Sequence, residues 1–181
     1  TRMALKLRHW GRKNTSEKSR QNIAAHYDLG NEFFSLFLDS KMMYSSAVFP
    51  HGSSNLAEAS ENKLRLICEE LELRPEDHLV EIGAGWGGMA FFAAEHYGCH
   101  VTTTTISREQ FNYVKGEIIK RGLEKKITVL FDDYRDLAGC FDKLVSIEMI
   151  EAVGHQFYDT YFQQVSRLLK PDGKAVIQAI T

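Results

Sequence analysis

The sequence predicts an α/β fold built on a doubly wound, mostly parallel sheet. Two observations carry this expectation. Short β-branched runs alternate with helix-periodic stretches along residues 55–181, and the first run enters a glycine-rich turn, EIGAGWGG. Such alternation implies right-handed crossovers that cover both faces of the sheet and leave ligands at the carboxyl ends of its strands.

The elements follow in order. Residues 55–74, NLAEASENKLRLICEELELR, repeat apolar side chains at Leu64, Ile67, Cys68 and Leu71, the spacing of one helix face. Pro75 and Asp77 punctuate, and HLVEIGAG reads as a short buried strand running into the glycine turn. GGMAFFAAEHYG predicts a helix stopping at Gly98, and HVTTTTI a β-branched strand. Ser107 can cap the helix REQFNYVKGEIIKRG, with Glu109, Gln110 and Arg121 suited to its ends. ITVLFDD is a third strand and DKLVSIEMI a fourth; HQFYDTYFQQVSRLLK is a helix, PDG a turn and KAVIQAIT a fifth strand. Ahead of the sheet, residues 18–54 are dense in aromatics and are expected to form a helical lid over a site, with residues 1–17 a basic linker.

The chain has 181 residues, 44% of them hydrophobic and 25% charged, the composition of an ordinary globular domain. A net charge of −2 argues against wholesale nucleic-acid binding. The head is different: Arg2, Lys6, Arg8, Arg12, Lys13, Lys18 and Arg20 face only Glu17, with Leu5, Leu7 and Trp10 among them. Such a stretch suits an anionic membrane surface, and equally a solvated linker. No apolar run reaches the roughly 18 residues of a membrane span, and no secretory signal is visible. Cys68, Cys99 and Cys140 have no metal-like spacing, and the histidines do not cluster at ligand spacing, so no metal site is expected. The cysteines read as small core residues of a cytoplasmic protein. The chain starts at Thr1 and stops within an apolar run, as a part of a longer protein would.

Four stretches can carry chemistry. In EIGAGWGG, Glu81 precedes Gly83, Gly85 and Gly87, an E-x-G-x-G-x-G order unlike the dinucleotide G-x-G-x-x-G. An acid there repels a pyrophosphate and attracts a cationic amino group, which suits S-adenosylmethionine; a plain strand-to-helix turn is the simpler alternative. Asp132 and Asp133, in LFDDYRDL, can receive an adenine amino group beside the flat face of Tyr134, or form a solvated acidic loop. VSIEMIEAVGH sets Glu148 and Glu151 one helical turn apart as base or hydrogen-bond anchor, or as helix caps, with His155 at the next helix start. Finally, MMYSSAVF places Tyr44, Ser45 and Ser46 among apolar neighbours, the pattern of a greasy pocket with few polar anchors. One absence stands out: the second strand ends in threonines where a ribose-binding acid is usual.

Taken together, QNIAAHYDLGNEFF, MMYSSAVF, EIGAGWGG, TTTTISREQ, DDYRD and VSIEMIEAVGH resemble, in the same order, the cyclopropane-fatty-acyl-phospholipid synthases and mycolic acid cyclopropane synthases, over residues 18–181. The resemblance implies a Rossmann-like class I methyltransferase fold, here short of the last two of the usual seven strands. It implies that Thr105 and Ile106 contact the adenosyl group and Gln110 the ribose hydroxyls, an amide replacing the acid. Tyr44, Ser45, Gly83 and Gly85 would line the methionine end, and Asp133, Tyr134 and Arg135 would flank the adenine.

The implied reaction moves the methyl of S-adenosylmethionine to a cis double bond of a phospholipid acyl chain. Proton loss from the added methyl then closes a cyclopropane. Relatives hold a bicarbonate ion as proton acceptor, and Glu151 matches the glutamate that orients it; Ser46 stands where many relatives have cysteine, and Glu148 where some have glycine. Phe33, Phe34 and Phe37 suit an acyl pocket, or core packing. The implied partners are unsaturated phospholipids at an anionic membrane surface, with peripheral association, and a homodimer is compatible with the resemblance. Three alternatives stay open: a methylene or methyl-branched product, amine N-methylation, and a non-catalytic cofactor- or lipid-binding domain.

Overall fold

A computed structural model describes residues 31–50, 52 and 55–181; the basic head and residues 18–30 of the aromatic segment lie outside the described residues. A short helix, α1 (Asn31–Ser35), precedes α2 (Leu56–Glu70). The core then runs β1 (His78–Ile82), α3 (Gly88–His96), β2 (His100–Thr104), α4 (Arg108–Lys120), β3 (Ile127–Leu130), β4 (Phe141–Ile147), α5 (Ile150–Val153), α6 (Tyr158–Leu168) and β5 (Leu169–Gln178). All pairings are parallel, in the order β3-β2-β1-β4-β5. The direction of winding reverses between β1 and β4, which makes the carboxyl ends of those strands the place for a ligand crevice.

Local chemistry accounts for the boundaries. Asn55 caps α2 by accepting from the Glu58 amide, and Ser107 caps α4 by accepting from that of Gln110. Gly87, at φ +85°, takes the left-handed turn into α3, where a Cβ would lie 2.6 Å from the Phe91 ring. Side chains alternate across the sheet as a period of two requires. Leu79 and Val145 join a core with Leu64, Ile67 and Met89 on one face, while Val80, Ile82 and Leu144 meet Tyr161, Val165 and Leu168 on the other.

Residues 31–50 attach through a third cluster, in which Phe34 and Met42 pack on Trp86 of the glycine turn. Phe34 is therefore a core residue, whereas Phe33 and Phe37 are 44% and 49% exposed.

Three expectations need correction. PDG is no separate turn: β5 runs through it, Phe141 pairing with Leu169 and Lys143 with Lys174, so residues 170–173 bulge out of register. A proline is tolerated there because β5 is an edge strand of the described sheet. The long last helix is divided: residues His155–Phe157 form a 3₁₀ turn ahead of α6, which stops at Leu168. Cys140 is exposed, unlike the buried Cys68 and Cys99.

Candidate active site at the carboxyl ends of the strands

A cavity of about 410 Å³ lies at the carboxyl edge of the sheet, lined from the loops after β1, β2, β3 and β4 and closed on one side by residues 42–45. The structure brings Tyr44, Ser45, Glu81, Gly83, Gly85, Thr105, Ile106, Gln110, Asp133, Tyr134 and Arg135 to this one wall-to-wall space. A Cβ added to Gly85, at φ +50°, would meet nothing within 4 Å, so the space above that backbone is open for a ligand.

Glu81 sits at the floor, 3% exposed, opposite Thr103 in the β1–β2 register. The Thr103 hydroxyl donates to its Oε2 at 2.6 Å, and no basic side chain among the described residues forms an ion pair with it. Burial pushes the carboxyl up to about 8 against the pull of that hydrogen bond. A buried acid with so little to satisfy it has the chemistry to receive a ligand cation.

The run of four threonines resolves into four separate jobs. Thr102 Oγ1 lies 2.9 Å from His78 Nε2, Thr103 holds Glu81, and Thr104 donates to the Asp132 carbonyl at 2.5 Å. Thr105 accepts from the Ser107 amide and donates to Gln110 Oε1 at 2.7 Å. With its oxygen so used, the amide nitrogen is the group Gln110, a lining residue, has left to donate.

Asp133 is 1% exposed, and its carboxylate takes Nε and Nη2 of Arg135 at 2.8 and 2.7 Å while also capping the 3₁₀ turn Tyr134–Asp136. Asp133 and Arg135 both line the cavity. The Tyr134 ring packs against Tyr161, 5.6 Å between centroids, and offers its other side to the cavity wall.

The two glutamates after β4 part company. Glu148, at φ +47°, turns the chain so that α5 starts two residues later. Its side chain lines the cavity and accepts from Ser46 Oγ at 2.5 Å, Ser46 N at 2.8 Å and Gln178 Nε2 at 2.9 Å. Glu151 is exposed, does not line the cavity, and accepts from the Ile180 amide at 2.6 Å. They are not a turn-related pair because the left-handed residue precedes the helix. Ser46 is exposed beside the cavity and joined to it through Glu148.

Lys63 and Gln178 were not anticipated from the sequence. Lys63 is 2% exposed, and its ammonium donates to Ser45 Oγ. A signal existed: Ser60, Lys63, Leu64 and Ile67 keep the i, i+3, i+4, i+7 spacing, so two polar residues ride the apolar stripe of α2. For Gln178 only the strand-end position hinted.

Comparison with known proteins shows the family of the chain. A family profile described as mycolic acid cyclopropane synthetase matches residues 14–181. The chain is 43% identical over 169 residues to the cyclopropane-fatty-acyl-phospholipid synthase of Escherichia coli (strain K12), covering 92% of this chain and 43% of that protein. It is 36% identical over 175 residues to the tuberculostearic acid methyltransferase UfaA1 of Mycobacterium tuberculosis, covering 93% of this chain and 41% of that one. A crystal structure of the mycolic acid cyclopropane synthase CmaA1 complexed with SAH and CTAB superposes with a TM-score of 0.84 at 35% identity, covering 87% of this chain and 55% of the other. The chain thus spans less than half the length of the two curated relatives.

Proposed function

The chain belongs to the mycolic acid cyclopropane synthetase family, and from that premise we propose that it is the cofactor-binding core of a lipid methyltransferase that cyclopropanates unsaturated phospholipid acyl chains. S-adenosylmethionine, when bound, supplies an electrophilic methyl group. The observation that carries the reading is Glu81, a buried acid at a glycine turn that has a hydroxyl for a neighbour and no cation. It fits the ammonium of an amino-acid end, and a neighbouring structure complexed with SAH supports a cofactor of this class.

The other residues then have definable work. Gln110 donates to a ribose, and Tyr134 with the Asp133–Arg135 pair forms the flat wall beside the adenine. Residues 42–45 close the space, with Met42, Met43 and Tyr44 among its lining. Closure matters because an alkene is a poor nucleophile: its π electrons must be aligned with the methyl carbon, and water must be kept from the carbocation that forms on the acyl chain.

The proton lost from that cation needs an acceptor. Bicarbonate fits these residues poorly, since the Ser46 amide, the Ser46 hydroxyl and the Gln178 amide already converge on the Glu148 carboxylate. We assign proton acceptance to Glu148, with Ser46 orienting it, and leave Glu151 a supporting place at the Ile180 backbone. A relative named a tuberculostearic acid methyltransferase supports a second reading, in which the cation loses its proton to form a C=C bond instead of the ring and the product is a methylene-bearing or methyl-branched unsaturated chain.

What supports a peripheral, cytoplasmic-face location in this reading is sequence alone: the basic residues of positions 1–20 suit anionic headgroups. No helix among the described residues is long and apolar enough to cross a membrane. The test is NMR of the lipid product formed from S-adenosylmethionine and an unsaturated phospholipid: cyclopropane methylene protons support the first reading, vinylidene or branched-methyl signals the second. An unmodified lipid with a methylated amine acceptor would remove both.

A further inference from the structure

Lys63 is among the largest fully buried side chains of the described residues. An ammonium taken out of water is costly unless it is paired. Yet no carboxylate among the described residues forms an ion pair with it, and its hydrogen-bond partner is Ser45 Oγ, at 2.5 Å. Asp39 and Glu148 act on it from farther away, and burial outweighs both, drawing its pKa down to about 8. It remains mostly cationic at neutral pH. Two further buried oxygens, Asp39 Oδ2 and Ser60 Oγ, have no partner. Lys63 is thus a buried cation behind Ser45 rather than half of a closed ion pair.

Hydrogen-bond direction gives this lysine a purpose. An ammonium only donates, so Ser45 Oγ must accept from it. The hydroxyl proton of Ser45 is then free for another acceptor, and no described residue takes it. Ser45 lines the same cavity as Glu81.

We infer that Lys63 is a positioning residue for the amino-acid end of the cofactor: it commits Ser45 to donate into the cavity and sets a positive charge behind it, so that a carboxylate is held there while Glu81 takes the ammonium. This rests on the S-adenosylmethionine reading of the cavity and extends it from the nucleoside to the charge pattern of the amino acid. A zwitterionic end carries one charge of each sign; Glu81 lines the cavity to meet the positive one, and Ser45 lines it with Lys63 behind to meet the negative one.

The test compares two ligands by calorimetry at neutral pH. Decarboxylated S-adenosylmethionine keeps the sulfonium and the ammonium and lacks only the carboxylate. In the wild-type protein the complete cofactor binds more tightly. Lys63→Met weakens it about tenfold to a hundredfold, as expected for a charge-assisted hydrogen bond, and changes the decarboxylated ligand by no more than about threefold. Ser45→Ala loses the same preference, and the double variant is no worse than the poorer single one, because the two side chains act as a unit.

A merely structural lysine would weaken both ligands alike, and that result overturns the proposal. So does a Ser45→Ala protein that keeps its preference for the carboxylate, a result that stands even if Lys63→Met does not fold. If the wild type binds neither ligand, the cofactor reading itself fails and this inference falls with it; if it binds both equally, the cofactor reading survives and the inference alone is lost.

Discussion

Glu81→Gln separates the account from a purely structural glycine turn. The side chain is 3% exposed and its carboxyl is pushed up to about 8 by burial, against 4.5 for the ordinary group. In the ligand-free protein the folded state therefore binds one proton more than the unfolded chain between those two values. Stability from this group is fully present below about 4.5 and is lost as pH rises through about 8, at about 1.4 kcal/mol per pH unit inside the window. Glutamine keeps the shape and cannot ionise. Wild type and variant should have similar urea midpoints near pH 5, and the wild type should fall below the variant by several kcal/mol near pH 9.

Cofactor binding should move the other way. A ligand ammonium stabilises the carboxylate, so binding at pH 7 releases a proton from Glu81, and calorimetry in buffers of different ionisation enthalpy reads it. The variant should lose that proton release and bind about tenfold to a hundredfold more weakly. Parallel pH–stability curves for the two proteins, with unchanged affinity, would refute the assignment of Glu81 as a buried, cation-seeking acid.

Three further outcomes are expected. Glu148→Gln should cut turnover about a hundredfold or more, roughly 3 kcal/mol of barrier, with cofactor affinity nearly unchanged; Glu151→Gln, measured alongside, should cost less, and the reverse order would return proton handling to Glu151. Gly85→Val should abolish cofactor binding by filling the open space over the turn, with a stability loss of about 1–2 kcal/mol from its left-handed backbone; normal affinity in a folded variant contradicts the placement of the ligand. Ser46→Ala should lower turnover more than affinity, since its hydroxyl and amide orient Glu148, and equal loss in both would assign it to binding.

The fold was readable because its signals are periodic. The β-branched runs at 78–82, 100–104 and 127–130 and the stripe through Leu64, Ile67 and Cys68 each declare a local structure that tertiary packing does not override. PDG failed as a turn because a bulge and a turn use the same residues, and only the register of β5 on β4 decides between them. The site was legible where one stretch of sequence supplies it, as in the glycine turn.

It was opaque where contacts are long-range. Thr103 and Glu81 meet across 22 residues, and Ser46 and Glu148 across 102. A lysine reads as a solvated residue until its helix face is known, which hid Lys63. The different places of Glu148 and Glu151 were hidden because the positive φ that divides them falls on Glu148 itself, with no glycine there to signal it.

Lipid methylation is read by mass spectrometry of acyl chains after the protein is incubated with S-adenosylmethionine and vesicles of unsaturated, partly anionic phospholipid. The account predicts a gain of one CH₂ in chains that carry a cis double bond and none in saturated chains. An unchanged acyl mass, in a protein shown by calorimetry to bind the cofactor, would contradict lipid methylation.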